Sequence, residues 1–140
     1  MRNEADATIL AFDFGTRRIG VAIGNTLTRS ARALTTIDAP DERDRFAALD
    51  RLVREWQPAR LVVGLPLHAD GSEHAMTARA RTFAATVARR YALPVALEDE
   101  RHTSEIARDA LAGGGRAARA QRDEVAARII LQAYLDMHDA

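Results

Sequence analysis

The sequence predicts one three-layer α/β domain over residues 1–140, a five-stranded mixed sheet with helices on both faces. Three observations carry this expectation. Three short apolar runs come first with only turns between them, strands and helices then alternate, and neither a linker nor an internal repeat divides the chain. Strands joined by turns pair antiparallel and strands joined through a helix pair parallel, so the sheet is mixed.

The elements follow in order. Ile9-Leu-Ala-Phe-Asp-Phe14 is nearly all apolar and is closed by Gly15, the pattern of a strand buried on both faces. Ile19–Ile23 reads as its hairpin partner and Ala33–Ile37 as a third strand. After Asp38-Ala-Pro-Asp41 the period changes, and Phe46, Leu49, Leu52, Val53 and Trp56 share one helical face until Gln57-Pro58. Arg60–Gly64 is a fourth strand, followed by a loop whose turn formers are Pro66 and Asp70-Gly71. Ser72 is the expected N-cap of a second helix that turns Met76, Ala80, Phe83, Val87 and Tyr91 inward. Pro94–Leu97 is the fifth strand. A short helix from Thr103 is expected to stop at Gly113-Gly114-Gly115, a flexible joint. The last helix carries Ala126, Ala127, Ile130, Leu131 and Tyr134 on one face, to about Asp136.

Composition narrows the chemistry. With 47% apolar and 29% charged residues in 140, the chain is an ordinary globule with material for one core. No apolar run approaches the roughly 20 residues of a membrane span, and Met1–Thr8 lacks the basic and apolar regions of a leader, so a cytoplasmic protein is expected. The absence of cysteine removes disulfides, thiolate zinc sites and cysteine nucleophiles. A formal net charge of zero argues against coating nucleic acid by bulk charge. All 20 basic side chains are arginine, which excludes lysine Schiff bases and a phosphate-loop lysine but supplies forks that clamp phosphates.

Three acids sit where a bland reading handles them badly. Asp13 interrupts an apolar strand, and a carboxylate there costs several kcal/mol to desolvate unless a cation or several donors meet it. The alternative is that it caps the following turn. Glu98-Asp99-Glu100 follows the fifth strand, with Asp99 facing away from its neighbours if the extended geometry persists; the residues alone do not choose among them. Asp123 stands three residues before Ala126 and seven before Ile130, on the stripe the last helix turns to the sheet. The alternatives there are a surface cluster and a helix-dipole partner. Taken together, carboxylates meeting at one sheet edge form an all-oxygen site of the kind preferred by Mg²⁺ or Mn²⁺, and metal-assisted phosphodiester hydrolysis is the reaction class that follows.

Four motifs in order carry a family resemblance: Phe12-Asp-Phe-Gly-Thr-Arg-Arg-Ile-Gly-Val-Ala-Ile-Gly24; Val63-Gly-Leu-Pro66 with Asp70-Gly-Ser72; Asp99-Glu-Arg101 with Thr103-Ser104; and Asp123-Glu-Val-Ala-Ala127 with Ile130-Leu-Gln132. Over roughly Thr8 to Asp136 the chain resembles the YqgF family, also called RuvX. The resemblance implies a ribonuclease H-like, resolvase-like fold and a nuclease that matures the precursor of 16S ribosomal RNA, in contact with the assembling small ribosomal subunit. It places the acidic site, catalytic and metal-holding, on Asp13, Glu100 and Asp123. His68 and His102 depart from the family's commoner asparagine and aliphatic residue.

Arginines flank each acid: Arg17 and Arg18 after Asp13, Arg101 after Glu100, and Arg116, Arg119 and Arg122 before Asp123. They are the expected nucleic-acid-binding residues. Only seven aromatic residues (four Phe, two Tyr, one Trp) are available for stacking, which favours recognition of backbone and shape. Three rival functions remain. A Holliday-junction resolvase cutting branched DNA calls for a two-fold dimer, whereas RNA processing suits a monomer or weak dimer. An actin-like ATPase fits Asp13-Phe-Gly-Thr16 but not the length. A non-catalytic nucleic-acid-binding module in transcription would need no metal.

Overall fold

The computed structural model describes residues 7–101 and 116–137. Its elements are β1 (Thr8–Phe14), β2 (Arg18–Asn25), β3 (Ser30–Asp38), α1 (Glu42–Trp56), β4 (Arg60–Leu65), α2 (Ala75–Tyr91), β5 (Val95–Asp99) and α3 (Arg116–Met137). The sheet order is β3-β2-β1-β4-β5. β2 is antiparallel to both β1 and β3, while β1, β4 and β5 run parallel, as the mixed-sheet reading requires.

β1 is central and covered on both faces, so Ile9, Leu10, Ala11 and Phe12 are all fully buried. The two-residue period of a strand then divides the core. On one face Leu10, Phe12, Ile19, Val21, Leu61 and Val63 pack with Leu49 of α1 and with Phe83 and Val87 of α2. On the other, Ile9, Ala11, Ala22 and Val62 pack with Ala127, Ile130, Leu131 and Tyr134 of α3, which lies across the sheet and touches all five strands. Side chains also fasten α3 to the β3 edge. Thr36 Oγ1 donates to the Ala120 carbonyl (2.5 Å), and Gln132 both accepts from Ala31 N (3.0 Å) and donates to the Arg29 carbonyl (3.0 Å).

α1 begins at Asp41, whose side chain accepts from Arg43 N (2.8 Å), and ends on Gln57 in the left-handed region (φ 45°). The start of α2 differs from expectation. Ser72 is held in a turn by Asp70 Oδ1 (backbone 2.9 Å, hydroxyl 2.6 Å), and His74 caps the helix instead, its Nδ1 accepting from Met76 N while Thr77 Oγ1 accepts from His74 N. Buried Thr77 then donates to the Pro66 carbonyl, tying the helix start to the loop after β4. β3 begins three residues earlier than the apolar pattern indicates, because Ser30–Arg32 lie on a polar sheet edge; it also bulges opposite Val21 and Ala22. The expected short helix, the triple-glycine joint and His102 lie outside the described residues.

Candidate active site

Asp13 is paired in register with Gly20 of β2, and residues directly opposed in an antiparallel pair project to the same face. That face is the α3 side. A Cβ on Gly20 would lie 1.9 Å from the Asp123 carbonyl oxygen, so only glycine lets the helix backbone settle on the strand at this point. The local sequence thereby brings Asp123 over Asp13. A second glycine admits the third acid: a Cβ on Gly64 of β4 would lie 2.2 Å from Glu100 Oε2 and 2.6 Å from Ile130 Cδ1. Glu100 is buried, its backbone N–H donating to the Leu65 carbonyl (3.2 Å).

The choice within the acidic triplet is now geometric. Asp99 is exposed and gripped by its own neighbour, Arg101, through the backbone N–H (3.0 Å) and Nε (2.8 Å). Glu100 instead lies against Gly64 and shares a field with Asp13. The Asp13 carboxyl is pushed well above the usual carboxylate range, first by burial and then by repulsion from Glu100 and Asp123. Three carboxyl groups lie within electrostatic reach of one another on this face of the sheet, and burial there disfavours a bare anion at Asp13.

The carboxylates are not yet gathered around a common point. Among the described residues, no three Asp, Glu or His side chains stand close enough to hold a metal ion as they are. Asp123 Oδ2 is taken by Arg18 Nε at 2.7 Å, in a pair only 21% and 24% exposed. The donor set itself suits a hard divalent cation: carboxylate oxygens alone, Glu100 buried and Asp13 raised by burial and by its neighbours, with no thiolate or imidazole among them.

The expected arginines fare differently. Arg18 points into the acidic cluster and is spent on Asp123. Arg17 is 62% exposed beside Asp38 (3.7 Å). Arg101, held by Asp99, also reaches the Ala69 carbonyl (3.4 Å) in the loop after β4. Arg119 is exposed and Arg122 half-buried on α3; Arg116 opens that helix, and its side chain lies outside the described residues. Sequence reasoning missed Arg45 of α1. This buried guanidinium donates to the Gly15 and Thr16 carbonyls (2.6 Å for Thr16), fixing the turn that follows Asp13, and lies over the Phe14 ring (5.1 Å). Its signal was available, since Arg45 stands four residues before Leu49 on the buried stripe of α1. The isolated glycines inside β2 and β4 were a second overlooked signal.

Comparison with known proteins places the chain in a family and a fold. The profile of the RuvX family, described as Holliday junction resolvase, matches residues 7–137. A Nitrosomonas europaea protein named "Putative pre-16S rRNA nuclease" is 49% identical over 143 residues, covering 100% of this chain and 97% of its own length. A Burkholderia mallei protein of the same name is 53% identical over 131 residues, covering 94% of this chain and 89% of its own. Among solved structures, Thermus thermophilus RuvC in complex with a Holliday junction substrate superposes with a TM-score of 0.55 at 15% identity, over 93% of this chain and 94% of that one. Fowlpox virus resolvase with Holliday junction DNA gives 0.57 at 6% identity, over 92% and 97%. At such identities the structural likeness is one of fold, and it bears out the ribonuclease H-like architecture. With four ordered motifs, a full-length profile match and relatives near half identity, the chain belongs to the RuvX family.

Proposed function

We propose that this protein is a metal-dependent endonuclease acting on the precursor of 16S ribosomal RNA in the bacterial cytoplasm. The observation that carries the reading is the placement of Asp13, Glu100 and Asp123 on one face of the sheet, where burial first and then the other two acids raise the Asp13 carboxyl. The substrate comes from the names of relatives that are about half identical along the whole chain.

Asp13, Glu100 and Asp123 would hold Mg²⁺ or Mn²⁺, which when bound activates water and neutralises charge on the phosphodiester. Glu100 is fixed by burial against Gly64 and orients the site from the β5 side. Arg17 and Arg119, both exposed, and Arg101 beside the loop after β4 are suited to phosphates on either side of the cut, with Arg18, Arg116 and Arg122 completing the basic set. All three acids come from one chain, so a monomer carries a whole site and a single RNA strand needs no two-fold partner. Among the described residues, no helix is long and apolar enough to cross a membrane.

The test is cleavage of a precursor 16S rRNA fragment carrying its 5′ leader, with Mn²⁺, with Mg²⁺ and with EDTA, for the wild-type protein and Asp13→Asn. The expected result is cutting that needs a metal and falls by on the order of 10³-fold or more in Asp13→Asn. Intact RNA alongside a cut four-way DNA junction would transfer the assignment to branched DNA. Binding of RNA with cutting of neither substrate would make the protein a binding module.

A further inference from the structure

Arg18 begins β2 two residues before Gly20, so its side chain shares the α3 face with Gly20 and Asp13. It reaches Asp123 through Nε alone, in a pair mostly withdrawn from solvent, and its two Nη groups take no protein partner among the described residues. Beside this pair, Asp13, Glu100 and Asp123 do not stand at coordinating distance of a common point. A cation thus already sits on one of the carboxylates, and it belongs to the protein.

Resting on the nuclease reading above, we propose that Arg18 is an exchangeable counter-ion: it holds Asp123 in the metal-free protein, yields that carboxylate when a divalent cation enters, and is released to clamp a substrate phosphate. The chemistry favours the exchange in both directions. Without metal, the three carboxylates on this face of the sheet repel one another, and a guanidinium on Asp123 relieves part of that repulsion. With metal bound, the cation supplies the compensation, and an arginine on the same sheet face becomes a spare fork next to the reacting phosphodiester. Metal loading and phosphate binding are thereby coupled through one side chain, so substrate is gripped tightly only when the site is armed.

The experiment measures Mn²⁺ binding by titration calorimetry on the wild type, Arg18→Gln, Arg17→Gln and Asp13→Asn, with no RNA present. Arg17→Gln makes the same charge change on a side chain that faces Asp38, and so reports the effect of net charge alone. Arg18→Gln should bind Mn²⁺ about tenfold more tightly than Arg17→Gln, because no charge-assisted hydrogen bond has to be broken first. Affinity for a short RNA is then compared with and without Ca²⁺, used as a non-cleaving ion. The wild type should exceed Arg18→Gln only when Ca²⁺ is present. Arg18→Lys, which keeps the charge and loses the fork, should retain the metal affinity of the wild type and lose part of the RNA gain. Equal Mn²⁺ affinity in Arg18→Gln and Arg17→Gln, or an RNA advantage that does not depend on Ca²⁺, would overturn the exchange while leaving the nuclease intact. Mn²⁺ binding that Asp13→Asn does not weaken would bring down the carboxylate site, and the exchange with it.

Discussion

The two faces of the sheet are built on opposite rules. Under α1 and α2 the contacts are large: Phe12 meets Phe83 edge-on (5.9 Å), Phe14 stacks on Phe83 (4.8 Å), and Leu49 and Val87 fill the rest. Under α3 the sheet carries Ile9 and Val62 but is otherwise built of small residues, with Ala11, Ala22 and Ala96 beside Gly20, Gly24 and Gly64. The first face buries area and stabilises the domain. The second gives up side-chain volume so that a helix backbone can approach the strands, and the acids collect there. Aromatic packing lies on one side of the five-stranded sheet, and close helix approach with the three acids lies on the other.

This division can be broken from either side. The largest effect is expected from Phe83→Ala, which removes the ring shared by Phe12, Phe14 and Phe46 and should cost about 3–5 kcal/mol in urea unfolding, while the folded fraction keeps its Mn²⁺ affinity. Gly20→Ala should cost less, about 1–3 kcal/mol, yet do more local harm. Its methyl group would displace the backbone at Asp123, so hydrogen exchange should speed up in α3 and not in α2, and cleavage should be lost.

Arg45→Met tests a residue of α1 that reaches across to grip the turn after Asp13 and lies over the Phe14 ring. We expect a loss of about 1.5–2 kcal/mol, from two charge-assisted hydrogen bonds in a buried setting, and a further fall in cleavage as the turn loosens. The gentlest effect is a slope. Asp13 has its pKa raised in the folded protein, so its contribution to stability is fully present below the ordinary carboxylate range and is lost as pH rises through the raised value. In metal-free buffer the unfolding free energy should therefore fall above about pH 4, by at most roughly 1.4 kcal/mol per pH unit, and Asp13→Asn should flatten that fall. Asp50 acts lower and with the opposite sign: the Arg90 hydrogen bond holds it at about 2, so its contribution is lost on acidification below the ordinary range and leaves the Asp13 window clean.

The sequence made the stable face easier to read than the reactive one. Apolar period alone located β1, β2, β4, α1 and the inward face of α2, because large buried side chains announce themselves. Asp13 stood out for the same reason, as a charge where an apolar residue belonged. Glu100 could not be told from Asp99 by composition, since the choice depends on which of the two meets the open Cα of Gly64, a contact with the neighbouring strand that the acids' own surroundings in the chain do not encode. The Ser72 and His74 caps were confused because both can accept a helix N–H, and Asp70 had already claimed Ser72. Arg45 was hidden by its charge, which reads as surface until its two carbonyl partners are seen.

Asp13 and Asp123 are separated by almost the whole length of the chain, and α3, which carries the second, is also the element that spans every strand. Contacts of such long range form late, after the costly closure of the intervening loop. As the polypeptide emerges during synthesis, the hairpin and its neighbours can assemble while the acidic cluster is still incomplete. A copy that stops short of α3 lacks both Asp123 and the helix that covers Ile9, Ala11, Ala22 and Val62, so closing the second core layer and completing the acidic cluster are one event.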